Sequence, residues 1–366
     1  MIIGLFLATA CQANKVADSD VREPVVAGKF YSESPTRLRL AIEKFLQDAI
    51  PAQVEKPVAI IVPHAGYIYS GPICADGFNQ VRGHHYDVVI ILGTNHTSPH
   101  LQGAAIYPGN GFRTPLGTVS IDKSIVAALI KESPTDSTLD RSAHETEHSL
   151  EVLVPFIQVI FPQARIVPIV VASQDPYICI RFGQALARVL KNKKALIVAS
   201  SDLSHYPSQA DANRVDQETL EAITTLDPVA FHRIIEKNMN KNVPNLSTCA
   251  CGEAPIMAAM AAAKSMGASR GKIIRYANSG DVSIGERSRV VGYGAVVLAA
   301  DGHKKETALP SQKKSMPAPA SSQLTSDDKK TLLTFARETI TRLLTTDTLP
   351  ATGNFSKNLQ QPRGVF

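Results

Sequence analysis

Apolar, β-branched residues are concentrated in four short runs, each bounded by polar or turn residues. Continuous runs of this kind are typical of strands that are buried on both faces of a sheet. They predict strands over Val58–Val62, Val88–Leu92, Ile166–Val171 and Ala195–Ala199. Two later strands are predicted over Lys272–Ala277 and Arg289–Leu298.

Segments with helical periodicity lie between these runs. The first begins with Ser34 and Pro35, an N-cap residue followed by a first-turn proline. The predicted helices are Ser34–Asp48, Glu147–Ile160, Pro176–Leu190, Ala210–Thr224, Pro228–Asn238 and Glu253–Met266. Because strands and helices alternate, the sequence predicts an α/β fold with a mainly parallel or mixed central sheet flanked by helices.

Three predicted strands are each followed closely by a histidine. Val58–Val62 leads to His64, Val88–Leu92 leads to His96, and Ala195–Ala199 leads to His205. Ligands of open α/β sheets bind at the carboxyl ends of the strands. If the strands are parallel neighbours, the three imidazoles converge on one pocket, which suits metal binding or proton transfer.

A cysteine-containing turn precedes the predicted helix Glu253–Met266. A thiolate at a helix N-terminus is stabilised by the helix dipole and by free N–H groups, and it is a soft metal ligand. The spacing alone leaves Cys249, Cys251 and Glu253 open as a fourth pocket residue. The alternative is an inert cysteine that is buried at a tight turn.

The stretch between His144 and His148 superficially resembles the zinc-protease His-Glu-x-x-His pattern. His144, however, follows a polar stretch of sequence, which is typical of a loop and helix cap rather than of the middle of a helix. We therefore expect a helix cap here, with His148 or Glu151 reaching the pocket wall, and not a protease.

Composition narrows the functional classes. The chain has 366 residues, 44% of them hydrophobic and 19% charged, which is enough apolar material for a sizeable core. The formal net charge of +5 comes from scattered basic residues, so no nucleic-acid interface is predicted. Five cysteines without a Cys-x-x-Cys pair argue against a disulfide framework.

The two ends of the chain differ in character from the middle. Residues 2–10 are apolar and precede Cys11, as in a bacterial lipoprotein signal that would lipidate this cysteine; a frayed N-terminus is the alternative. The protein is accordingly expected to be either cytoplasmic or exported and membrane-anchored. Four segments are predicted: an N-terminal signal or tail (1–21), the main domain (22–300), a Lys/Pro/Ser/Ala-rich linker (301–324) and a helical segment (325–366).

Five motifs, in order along the chain, resemble the signatures of the Memo family, whose prokaryotic members are called AmmeMemoRadiSam system protein B. The resemblance runs from about Arg22 to about Leu298. The motifs are Val62–Gly71, Leu92–His96, Glu147–Glu151, Ser200–His205 and Cys251–Ile256.

This resemblance implies a fold similar to that of LigB-type class III extradiol dioxygenases, which use non-haem iron. It points to His64, His96 and Cys251 as metal ligands, with Fe(II) as the first expectation and copper as the second. It places Asp202 and His205 in the same pocket, either as proton handlers or as residues that support the ligands from behind, and it implies His148 as a pocket neighbour.

Residues 325–366 resemble the start of AmmeMemoRadiSam system protein A, so a truncated fused domain is expected. That resemblance implies protein A and a radical-SAM protein as partners. The expected function is a redox or dioxygenase-related metalloprotein. The alternatives are a non-catalytic scaffold that holds a peptide or modified side chain in the same pocket, and a thiol hydrolase that uses Cys251 and His205.

Overall fold

The computed structural model describes residues 20–173 and 175–300, together with seven positions between 327 and 342. Contacts divide the chain into two units, Met1–Asp301 and Gly302–Phe366. In the second unit the seven described positions have helical backbone, within the helix that the sequence predicts there. The predicted lipoprotein signal at Cys11 and the predicted linker over 301–324 lie outside the described residues.

Two sheets are formed by eleven strands in the described part of the first unit. In chain order the strands are β1 (Val21–Arg22), β2 (Pro57–Val62), β3 (Val88–Gly93), β4 (Gly103–Ile106), β5 (Gly111–Thr114), β6 (Gly117–Ser120), β7 (Ser137–Leu139), β8 (Arg165–Ala172), β9 (Ala195–Ser200), β10 (Arg270–Asn278) and β11 (Gly292–Ala299). The main sheet has the order β10-β11-β2-β9-β3-β8-β4-β7, and the small sheet has the order β1-β5-β6.

In the described residues 20–173 and 175–300, nine α-helices flank these strands. They are α1 (Pro35–Asp48), α2 (Tyr67–Asn79), α3 (Lys123–Glu132), α4 (Ser142–Glu145), α5 (Val154–Ile160), α6 (Pro176–Val189), α7 (Gln209–Thr224), α8 (Pro228–Met239) and α9 (Glu253–Ser265). Single 3₁₀ turns occur at Glu151–Leu153 and Ser279–Asp281. Helix α9 packs on the centre of the main sheet, and α2 packs on β2, β10 and β11.

The main sheet is mixed, as the sequence predicts. Its centre, from β2 through β9 and β3 to β8, is parallel, whereas β10 and β11 pair antiparallel with their neighbours. Strand β4 pairs antiparallel with β8 and parallel with β7. Every residue of β3 and β9 is buried, which explains their continuous apolar sequences. The four central strands differ from their predicted bounds by at most one residue at each end. The α/β class with a mixed central sheet and flanking helices is thus confirmed.

The helix predicted over Glu147–Ile160 was wrong in its first half. The chain forms only the 3₁₀ turn at Glu151–Leu153 before α5 begins at Val154. The physical reason lies in the two glutamates: the Glu147 carboxylate accepts hydrogen bonds from His96, and the Glu151 carboxylate accepts one from Arg22. These distant contacts hold the segment in an irregular course that local periodicity does not reveal.

Strands β2, β9 and β3 are adjacent and parallel, so their carboxyl ends meet at one edge of the sheet. The register aligns Val62 with Ser200, and Leu92 with Ala199. The segments that carry His64, His96 and His205 therefore begin side by side. No helix among the described residues is long and apolar enough to cross a membrane.

Candidate metal centre

His64, His96 and Cys251 come together at this edge, although almost two hundred residues separate the first from the last. One ligand atom from each lies within 4.8 Å of the corresponding atoms of the other two. The Cys251 Sγ is 3.4 Å from the His64 Nε2. His64 is buried and Cys251 is partly exposed. The structure thus brings together the three residues that the family resemblance points to as ligands.

A hydrogen-bonded serine determines which nitrogen of the His64 ring carries the proton. The Ser200 hydroxyl donates to the Ser149 carbonyl at 2.7 Å, so its oxygen accepts from the His64 Nδ1 at 2.8 Å. The proton of the neutral imidazole therefore resides on Nδ1, and the Nε2 lone pair faces Cys251. Burial, followed by the neighbouring His96, holds the pKa of His64 well below its usual range, so the ring is neutral.

The His96 ring is oriented by a buried carboxylate. Glu147 accepts from the His96 Nδ1 at 2.9 Å and from the His96 backbone N–H at 2.7 Å. The Ser149 N–H donates to the same carboxylate at 2.9 Å. Burial opposes ionisation, but these bonds and the imidazole lower the pKa of Glu147 to about 2. The ionised acceptor keeps the His96 proton on Nδ1 and leaves its Nε2 free to bind a cation.

The Cys251 segment is tied to the ends of two central strands. Its backbone N–H donates to the Asp202 carbonyl at 3.2 Å, the Gly252 N–H donates to the Ser201 hydroxyl at 2.9 Å, and the Thr94 hydroxyl donates to the Cys251 carbonyl. Burial raises the pKa of the Cys251 thiol, so a bound cation is what would favour its thiolate form.

The structure also decides among the residues that spacing left open around Cys251. Cys249 is fully buried, and burial raises the pKa of its thiol to about 12. The Glu253 carboxylate accepts from the His232 Nδ1 of α8 at 2.6 Å. Cys251 is the one of the three that lies beside two histidines.

Asp202 lies in the pocket and holds the His64 segment. Its carboxylate accepts from the His64 backbone N–H at 2.8 Å. Burial raises the pKa of Asp202 to about 7. Through this hydrogen bond the Asp202 carboxylate holds the backbone at His64 in place.

The His205 backbone is fixed on both sides, through isolated bridges to Thr248 and Val291. Its Nε2 is buried and has no hydrogen-bond partner among the residues that the structure describes. Burial lowers the pKa of His205 to about 4, so the ring is neutral. A buried ring nitrogen without a partner is available to a substrate or to water.

His148 stacks on His96, with ring centroids 4.6 Å apart and an interplanar angle of 17°. The centroid of its ring also lies 5.6 Å from that of the His64 ring, and the ring packs edge-on against Phe30. His96, Glu147 and His148 form a second group of residues with ligand atoms within 4.8 Å of one another. His148 is therefore a pocket neighbour.

His144 lies apart from this cluster, on the short helix α4. Its Nε2 is 3.0 Å from the Ala105 carbonyl, and its ring packs against Tyr107 and Phe112. The side chain is fully buried on the short helix α4, which ends before His148.

The sequence interpretation missed the two acceptors, Glu147 and Ser200. Both stand inside motifs that the family resemblance had singled out, next to residues that were assigned roles. The available signal was a carboxylate directly before His148 and a serine at the end of the strand that neighbours His64. Neither spacing nor periodicity says which histidine these side chains contact.

Together these features define a mixed α/β protein with a His–His–Cys cluster at the carboxyl edge of its central strands. A family model described as Memo-like protein matches residues 22–297. The chain belongs to the Memo family.

Several relatives match along nearly their whole length. A MEMO1 family protein of Methanopyrus kandleri is 36% identical over 289 residues, which cover 76% of this chain and 98% of the relative. A MEMO1 family protein of Saccharolobus islandicus is 38% identical over 287 residues, covering 74% and 97%. Among solved structures, an uncharacterised protein from Escherichia coli K12 matches with a TM-score of 0.43 and 15% identity, covering 65% of this chain and 99% of that one.

Proposed function

We propose that His64, His96 and Cys251 hold one non-haem metal ion, Fe(II) in the first place and copper as the alternative. The observation that carries the proposal is the convergence of two imidazoles and one thiol within 4.8 Å. The outer acceptors support it, because Ser200 and Glu147 keep the protons on Nδ1 and leave both Nε2 atoms free. The donor set suits a borderline or soft metal better than Mg²⁺ or Ca²⁺.

The chemistry proposed for this centre is redox or dioxygenase-related. An iron or copper ion with three protein ligands keeps open coordination positions and supplies reactivity toward O₂ or a coordinating substrate. The family resemblance to LigB-type enzymes supports this reaction class. Those enzymes use a carboxylate as third ligand, and the thiolate proposed here is softer and more electron-donating, which favours redox chemistry over ring cleavage.

The chain's own residues would manage protons and orientation. The His205 Nε2, buried and without a partner in the described chain, would accept a proton from a substrate. Asp202 fixes the backbone at His64. His148 forms the pocket wall beside His96 and restricts how a substrate can approach.

The test is metal analysis of the full chain after anaerobic addition of Fe(II). The single variants His64→Ala, His96→Ala and Cys251→Ala are expected to lose at least about tenfold in metal affinity, since each removes one of three protein ligands. Cys249→Ala and His100→Ala are matched controls, because neither side chain belongs to the cluster. Unchanged iron binding by the variant that carries all three substitutions would overturn the assignment.

Oxygen consumption by the iron-loaded protein then separates catalysis from binding. Uptake of O₂ with catechols or cell extract, lost in Cys251→Ala, supports the redox proposal. A protein that binds iron tightly but consumes no O₂ under these conditions supports the scaffold alternative instead.

A further inference from the structure

Arg289, which is exposed, stacks on the ring of Tyr206, the residue that follows His205. The ring of Tyr206 lies 5.5 Å from the ring of His205, and the guanidinium of Arg289 lies 4.1 Å from the centroid of the Tyr206 ring. The Tyr206 N–H donates to the Val290 carbonyl at 2.7 Å, which ties the two segments together. His205, Tyr206 and Arg289 thus form a continuous row from the partly buried imidazole to the surface.

Arg289 differs from the other arginines that stack on rings. In the described chain three guanidinium groups lie over an aromatic ring, those of Arg22, Arg141 and Arg289. Arg22 also pairs with Glu151, and Arg141 also pairs with Asp20. No described carboxylate pairs with Arg289. Stacking holds its guanidinium in place and leaves the N–H donors around its edge free for a carboxylate or phosphate.

The backbone at Tyr206 adopts a costly conformation. Its φ of +74° lies in the left-handed region, which a bulky residue other than glycine rarely adopts. Such local strain persists only where the surrounding structure holds it, often at functional sites. Here it sets the aromatic ring between His205 and Arg289.

We propose that Arg289, held on the Tyr206 ring, is the specificity-determining residue that selects substrates with an anionic group, a carboxylate or a phosphate, for the His205 pocket. This inference rests on the proposed function of that pocket. The anionic group would be held by the guanidinium at the surface, and the reacting part of the substrate would lie toward His205. A planar fork of N–H donors matches both anions, which a single ammonium group does not.

The experiment is an NMR titration of the full chain, loaded with Zn(II) as a diamagnetic ion, with benzoate and with its uncharged analogue benzamide. Side-chain signals of His205, Tyr206 and Arg289 report binding at this row. Benzoate is expected to shift them, and Arg289→Gln is expected to weaken benzoate binding about tenfold or more, since a charge-assisted bidentate pair is lost. Arg289→Lys, which keeps the charge without the fork, is expected to lose several-fold.

The matched control is Arg287→Gln, which removes the same charge from the same exposed loop, two residues from Arg289. Its benzoate affinity is expected to stay within about twofold of the original chain, as for a rim charge screened by salt. Tyr206→Phe should keep the affinity because the ring remains, and Tyr206→Ala should reduce it. Equal affinities of the Arg289→Gln and Arg287→Gln variants, equal binding of benzamide and benzoate, or no benzoate-dependent shift would overturn the proposal.

Failure of this inference is distinguishable from failure of the metal proposal. Arg289 and Tyr206 are not among the proposed ligands, so the benzoate titration can also be read on the metal-free chain. Metal content measured on Arg289→Gln should equal that of the original chain. A chain that binds no metal but still binds benzoate through Arg289 would overturn the metal centre alone.

Discussion

At the scale of single residues, the candidate centre depends as much on acceptors behind the imidazoles as on the imidazoles themselves. A neutral imidazole carries one proton and one lone pair, and the acceptor that takes the proton decides which nitrogen can bind a cation. Ser200 settles this for His64 and Glu147 settles it for His96. Both acceptors are themselves fixed, through the Ser149 carbonyl and the Ser149 N–H.

We predict that Glu147→Gln weakens metal binding by about tenfold to a hundredfold, the usual effect of losing such a partner. The glutamine keeps the size of the side chain, but its NH₂ group would face an N–H donor where the carboxylate now accepts. The measurement is metal affinity by competition with a chelator. Glu145→Gln, on the exposed end of α4, is the control and should bind normally. Normal affinity in Glu147→Gln would mean that His96 needs no external acceptor.

These acceptors also show where sequence reasoning ends. The histidines were visible because each follows the end of an apolar run within a few residues, and a strand end is a local signal. The bond from His96 to Glu147 joins residues 51 positions apart, and that from His64 to Ser200 joins residues 136 apart. Such pairs depend on which strands are neighbours, and one sequence alone does not give the order of strands in the sheet.

At the scale of elements, the approach of α9 to the end of β9 sets the position of the thiol. A Cβ at Gly252 would clash with the Ser200 carbonyl and with Ser201. The φ of Gly252 is −98°, so the need for glycine here is steric rather than conformational. The N-terminus of α9, and Cys251 with it, lies against the same serine that fixes His64.

We predict that Gly252→Ala reduces metal affinity by about tenfold or more, although His64, His96 and Cys251 are all retained. The added methyl group would push the start of α9, and Cys251 with it, away from Ser200 and Ser201. The overpacking is expected to cost about 1–3 kcal/mol in the free energy of unfolding. Gly66→Ala is a matched control: its Cβ would meet only the Phe30 backbone, at 3.6 Å and 3.7 Å, which is ordinary contact. Equal metal affinity in both variants, measured by chelator competition, would count against a rigid position for Cys251.

The elements that the sequence did not predict have recognisable physical causes. Helix α2 contains Gly71, Pro72 and Gly77 and is buried on most sides, so it shows neither high helix propensity nor an amphipathic period. Strands β4 to β7 have three or four residues each, too few to establish an alternation. The long, fully buried central strands were predicted closely because their apolar runs have no competing interpretation.

At the scale of the whole molecule, several buried ionisable groups make opposite contributions to stability as the pH changes. Burial raises the pKa of Asp216 to about 7, so the folded state binds a proton more readily than the unfolded chain does. The contribution of Asp216 to the free energy of unfolding therefore increases as the pH falls from about 7 toward the ordinary pKa of an aspartate. Burial acts in the opposite direction on His144, whose pKa it lowers to about 4.

We predict that His144 makes the fold sensitive to mild acid. Its pKa is about 6.5 in the unfolded chain and about 4 in the fold, so the unfolded state takes up the proton first as the pH falls. Its contribution is complete above about pH 6.5 and is lost progressively toward pH 4, amounting to about 2 kcal/mol between about pH 8 and about pH 5. The structure adds a reason: the Nε2 donates to Ala105, and the buried Nδ1 has no described partner for a second proton.

The measurement is urea unfolding of the original chain and of His144→Phe across this pH range. Phenylalanine fits between Tyr107 and Phe112 but does not titrate, so the variant is expected to be less stable near pH 8, where it lacks the bond to Ala105, and to lose less stability on acidification. Asp216 titrates in both proteins, which is why the difference between the two curves, rather than either curve, isolates His144. Parallel curves from pH 8 to pH 5 would show that the histidine is protonated equally in the folded and unfolded states, and that its buried position carries no acid sensitivity.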